Sequence, residues 1–96
     1  MERRLLSEDE IRQELSKTGH DGWVSSGKVL TRRFEFENFS DALSFVNNVG
    51  RLADQVDHHP DIKLGWGYAE LAITTHDRGG VTDVDFSLAK KINEIA

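Results

Sequence analysis

The chain has 96 residues, 38% of them apolar and 30% charged, with a formal net charge of −5 and no cysteine. That balance excludes a disordered tail, a membrane span, disulfide or thiolate chemistry, and the clustered Lys and Arg that a nucleic-acid surface needs. What remains is one cytoplasmic globular domain over residues 1–96 with a core of modest size, since residues 1–6 carry no apolar signal core.

In chain order, Ser7 and Glu10 form a capping-box pattern, with Leu6 and Ile11 spaced as its hydrophobic staple. Ile11 and Leu15 then predict a short amphipathic helix that Gly19 is expected to end. His20 falls in the loop beyond it and reads as a solvated surface histidine. Trp23 and Val24 lead through a Ser26-Gly27 turn into an extended segment over residues 28–36. Leu30, Phe34 and Phe36 share a parity there, which Arg32 interrupts. The two runs read as a hairpin.

Ser40 opens the strongest helical pattern, with Ala42, Phe45, Val46, Val49, Leu52, Ala53 and Val56 at three- and four-residue spacing. Pro60 is expected to end it, with His59 extended and His58 at or near the last turn. Asp54 lies one helical turn before His58, within reach of its ring. Past Pro60, Ile62, Leu64 and Trp66 alternate with polar positions, and after a turn at Gly67 so do Ala69, Leu71 and Ile73. This is a second hairpin with its apolar parity towards the helices. Residues 77–80 form a turn. Thr82 caps the last helix with Asp85 at the capping-box position, Val81 and Phe86 as staple, and Leu88, Ala89, Ile92 and Ile95 as stripe. The order α-β-β-α-β-β-α predicts an α+β fold, a four-stranded antiparallel sheet with helices packed on one face. The open face or a sheet edge would suit a homodimer or homotetramer.

Three of the four histidines, His58, His59 and His76, stand at element ends. Imidazole titrates nearest neutrality, so one ring can donate a proton while another accepts one. Two other readings stay open on spacing alone. Asp54, His58 and His76 could supply three zinc ligands, and the helix dipole by itself accounts for a histidine at position 58. Asp85 is fully explained as a cap, and Trp66 and Tyr68 read as core or rim. No serine sits in a nucleophile-elbow context.

The combination Asp54-x-x-x-His58-His59-Pro60, Trp66, Thr74-Thr75-His76 and Asp85 within GGVTDVDFSLAKKI resembles the pterin-4a-carbinolamine dehydratases. The likeness also takes in Gly22-Trp23 and the run FEFENFSDALSFVNNV, so it covers most of the chain. Two departures are visible: an aspartate at position 54 where the family often has glutamate, and a less aromatic segment over residues 61–66. The resemblance implies loss of water from a 4a-hydroxytetrahydropterin to give a quinonoid dihydropterin, with neither metal nor organic cofactor. It implies proton transfers by His58 and His76, with His59 mainly binding or orienting substrate and Asp54 holding His58 in one tautomer. Asp57, Thr74, Thr75, Asp77 and Trp23 complete the implied substrate contacts. It also implies a functional link to an aromatic amino-acid hydroxylase, while the net charge argues against direct nucleic-acid binding and the short apolar runs against a membrane span. Two alternatives accompany it: a protein-binding scaffold of the dimerisation-cofactor type, and a pterin binder without turnover. The scaffold needs an exposed apolar face, the enzyme all three histidines on one cleft.

Overall fold

The computed structural model describes residues 4–96; Met1, Glu2 and Arg3, part of the stretch read for a signal core, lie outside them. The first helix, α1 (Glu8–Leu15), starts at the expected capping box: Ser7 Oγ accepts from the Glu10 amide at 3.1 Å and Glu10 returns the bond to the Ser7 amide at 2.9 Å. Those bonds, the Ser7 amide foremost and then Arg4, hold the Glu10 carboxyl below the ordinary range. Their contribution is therefore present above the usual carboxylate pKa and lost as pH falls through the lowered value. The helix ends at Leu15, earlier than Gly19, because the Ser16 hydroxyl turns back to the Gln13 carbonyl at 2.7 Å. His20 is not a solvated loop residue. It is buried, edge-on to Phe86, and its Nδ1–H donates to the Glu14 carbonyl at 2.8 Å.

Strands β1 (Val24–Ser26) and β2 (Val29–Glu35) pair through the Gly27 turn, and β3 (Asp61–Gly65) and β4 (Tyr68–Ile73) through Trp66-Gly67. All neighbours are antiparallel and the sheet order is β1-β2-β4-β3, so the two hairpins meet along β2 and β4. Register decides the faces. Leu30 pairs with Ile73 and Phe34 with Ala69, and all four are buried beneath the helices. The opposite parity carries Arg33, bonded across the strands to Glu70 at 2.8 Å, together with Asp61 and Lys63. Position on an edge strand corrects one expectation: Ile62 is 37% exposed and Trp66, on the turn, 72%. Helix-side parity buries a residue only where a neighbouring element covers it.

The long helix α2 (Phe39–Val56) starts before Ser40, because Asn38 Oδ1 accepts from the Asp41 amide at 2.8 Å. Ala42, Phe45, Val49 and Ala53 are its buried stripe. The last helix, α3 (Asp83–Ile95), lays Phe86, Leu88, Ala89 and Ile92 into the same core. A chain segment before α1 runs beside its start, with Leu6 N–H on the Val81 carbonyl at 2.9 Å. No helix among the described residues is long and apolar enough to cross a membrane.

Asn93 closes the far end of the core. Its amide nitrogen donates to the carbonyls of Gly19 and Asp21, both at 3.0 Å, while its oxygen accepts from Trp23 Nε1 at 2.9 Å and Arg32 Nη1 at 2.6 Å. Arg32, the residue that broke the β2 parity, therefore lies over the Phe34 ring with its charge on this amide. Trp23 is 4% exposed, so removing the amide orphans a buried donor. Asn93→Ala is expected to cost about 1–3 kcal/mol, read as a lower urea midpoint. An unchanged midpoint would show that the clamp contributes nothing.

Candidate active site

The end of α2 builds the first wall. Asp57 adopts the left-handed conformation (φ 54°, ψ 44°), the one non-glycine residue among those described with positive φ. The His58 amide reaches back to the Ala53 carbonyl at 3.1 Å, a Schellman-type ending. Aspartate tolerates that backbone better than most side chains. The helix is thus stopped before Pro60 acts, and His58 lies just past its cap, near the last turn as expected. The second wall is the end of β4, where Thr74 donates its hydroxyl to the Lys28 carbonyl at 2.6 Å and a short 3-10 turn, His76–Arg78, begins.

Between these walls lies a cleft of about 310 Å³, lined by Asp57, His58, His59, Thr74, His76 and Asp77. All three histidines singled out in the sequence face it. A larger hollow of about 600 Å³ lies over the open sheet face, but its lining of Arg33, Lys63, Asp61 and Glu70 among apolar neighbours contains no imidazole. Volume favours the hollow and acid–base chemistry favours the cleft.

Two carboxylate–imidazole pairs flank the cleft, and they differ in kind. His58 is 6% exposed and Asp85 fully buried, with Nε2 of the ring 2.5 Å from Asp85 Oδ1. Asp85 Oδ2 accepts the Thr82 amide at 2.7 Å and the Thr75 hydroxyl at 2.9 Å. A carboxylate only accepts, so Nε2 carries the His58 proton and Nδ1 is left as the basic nitrogen. Nδ1 has no hydrogen-bond partner among the described residues. The second pair, His59 Nε2 with Asp54 Oδ1 at 2.9 Å, has side chains 56% and 80% exposed. Such a pair orients a ring and contributes roughly 0–1 kcal/mol.

This corrects the expected pairing. Asp54 holds His59, not His58, because the left-handed turn at Asp57 rotates His58 inward off the helix and leaves His59 on its outer side. Asp85 is more than a cap: one of its oxygens takes the Thr82 amide and the other is free to take the ring. A capping box uses one carboxylate oxygen only, so the spare one was the signal in the sequence. Its partner, 27 residues away, was not. Trp23 belongs to the core and to Asn93 and does not line the cleft. Thr75 has a buried hydroxyl turned to Asp85 and is likewise absent from the cleft wall. Asp54, His58 and His76 do not converge, and among the described residues no three His, Asp or Glu side chains form a metal-binding group.

The fold and the site define a small α+β domain with three imidazoles on one cleft, one of them bonded to a buried carboxylate. The family model described as pterin 4 alpha carbinolamine dehydratase matches residues 4–95. A protein of Sulfurisphaera tokodaii, provisionally named pterin-4-alpha-carbinolamine dehydratase, is 44% identical over 92 residues, which are 96% of this chain and 97% of the relative. One of Sulfolobus acidocaldarius with the same provisional name is 41% identical over 94% and 97%. Among solved structures, a transcriptional coactivator/pterin dehydratase from Brucella melitensis superimposes with a TM-score of 0.87 at 34% identity, covering 97% of this chain and 99% of that one. A pterin dehydratase-like protein described as a RuBisCO assembly factor of the alpha-carboxysome shares the fold (TM-score 0.68, 22% identity, 81% of this chain and 93% of that one). The chain belongs to the pterin-4a-carbinolamine dehydratase family, as its motifs implied.

Proposed function

We propose that this protein dehydrates a 4a-hydroxytetrahydropterin to the quinonoid dihydropterin in the cytoplasm, and so returns pterin spent by an aromatic amino-acid hydroxylase. The observation that carries this reading is the cleft, on which His58, His59 and His76 from two different element ends converge. In the reaction the N5–H proton leaves to a base, the nitrogen lone pair forms the N5=C4a bond, and the C4a hydroxyl departs as water after taking a proton from an acid. One proton is removed and one delivered, so two imidazoles suffice and the net proton count is unchanged. The base must shed its proton and the acid regain one through solvent before the next turnover. His58, whose Nδ1 has no partner among the described residues, and His76 are the transfer groups. His59 with Asp54 steadies the ring, and Asp57, Thr74 and Asp77 meet its polar edge. The test is direct: purified protein is added to a 4a-hydroxytetrahydropterin generated in situ, and its breakdown is followed by absorbance. A rate equal to the buffer blank would leave only binding.

On this reading His59→Ala raises KM with little change in kcat. Asp54→Ala, which loses an exposed pair of at most about 1 kcal/mol, raises KM by no more than about fivefold. Steady-state kinetics on both variants checks this, and a kcat loss for Asp54→Ala would move it into the chemistry.

Self-association has one observation in its favour. Phe39 is 43% and Leu43 39% exposed on the outer side of α2, one turn apart, and a side chain at Gly50 would meet nothing within 4 Å. That apolar strip suits a second copy, making a homodimer or homotetramer, and light scattering of Leu43→Glu against wild type reports on it.

A further inference from the structure

Thr75 holds both transfer histidines at once, by different parts of one residue. We infer that it is a positioning residue for the proposed dehydration, and this inference rests on that reading of the cleft.

Its side chain reaches His58. Thr75 Oγ1 is 2.9 Å from Asp85 Oδ2 and 2.8 Å from Thr82 Oγ1, and all three residues are fully buried. The carboxylate can only accept, so the Thr75 hydroxyl proton points to Asp85. That proton being used, the Thr82 hydroxyl must donate to Thr75. Thr82 Oγ1 in turn accepts the Val84 amide at 3.3 Å. Every donor in this chain therefore runs one way, from the start of α3 through Thr82, Thr75 and Asp85. A second carboxylate bond from the Thr82 amide at 2.7 Å aims the other oxygen at His58. The chain holds Asp85 so that Oδ1, an acceptor only, faces His58 Nε2–H.

The main chain of Thr75 reaches His76. Its amide donates to the Gly80 carbonyl at 2.9 Å, and its carbonyl accepts from the amides of Arg78 and Gly79, both at 3.0 Å. Those bonds close the short turn whose first residue is His76. The hydroxyl bonds and the turn bonds share one Cα, so a main-chain shift at Thr75 would move both. The residue thus sets the relation of one acid–base group to the other, and its own hydroxyl is unavailable to substrate.

The test uses Thr75→Val, which keeps the branched shape and loses the hydroxyl, with Thr75→Ser as rescue. Long-range proton–nitrogen NMR of the ligand-free protein reads the His58 tautomer. In wild type His58 is expected wholly as Nε2–H. In Thr75→Val the carboxylate loses one of the two bonds that aim it, so the Nε2–H bond to Asp85 loosens and some Nδ1–H form appears. Its kcat falls by up to about 10²-fold with KM nearly unchanged, the size expected when a reacting group is misplaced. Thr75→Ser restores both readouts. An Nδ1–H tautomer in wild type overturns the inference without any variant, which covers a Thr75→Val protein that fails to fold. A change in only one of the two readouts in folded Thr75→Val overturns it too. If wild type has no dehydratase activity, the functional reading fails separately, and the NMR arm still decides whether Thr75 holds His58.

Discussion

His58→Ala and His76→Ala are each expected to lower kcat by about 10²–10⁴-fold, the usual contribution of a positioned proton-transfer group. The two rings come from the end of α2 and the end of β4, and they line the same cleft. Neither can pass its proton on usefully without the other, so the double variant should lose less than the product of the two singles. His58→Ala also leaves Asp85 Oδ1 buried without its partner, which costs about 1–3 kcal/mol. His58→Gln, whose amide can still donate to Asp85, separates that stability loss from the loss of chemistry. Circular dichroism establishes that each variant is folded before rates are compared. Near-normal kcat in both folded single variants would defeat the acid–base assignment and put the scaffold reading ahead.

Asp85→Asn has the second large expected effect, and it reverses what a pure capping role would give. If the amide oxygen stays on the Thr82 amide and the Thr75 hydroxyl, the new NH₂ group faces His58 Nε2. The ring must then accept there and carry its proton on Nδ1, so the cleft loses its basic nitrogen. If the amide flips, its NH₂ opposes the Thr82 amide and donor meets donor. The wrong tautomer in a comparable carboxylate–histidine pair lowers kcat by about 10⁴-fold, which sets the upper range here. Stability should fall by a more modest ~0.5–2 kcal/mol through the weakened helix start. The comparison of kcat with the urea midpoint decides the matter. A folded Asp85→Asn protein with wild-type turnover would return Asp85 to a cap alone.

Much of the fold could be read locally. The capping boxes at Ser7 and Thr82, the apolar stripe of α2 and the alternation of β4 each depend on residues within one or two turns of each other, and each is in place. Element ends were less legible, because side chains compete for the same backbone groups. Asn38 captured the start of α2 ahead of Ser40, and a left-handed Asp57 stopped it ahead of Pro60. That one backbone choice turned His58 inward and His59 outward and so exchanged their carboxylate partners.

What the sequence by itself determined was the order of elements, the buried parity and the three imidazoles, because period, capping and residue type are properties of short stretches. What only the tertiary structure decided was who holds whom. Asp85 reaches His58 across 27 residues, and Asn93 reaches Trp23 across 70. Both contacts exist because α3 packs where its first turn meets the end of α2 and its last turn meets the loop before β1. A side chain with hydrogen-bonding capacity to spare leaves a mark in the sequence, but its partner is chosen by packing, on which local spacing is silent.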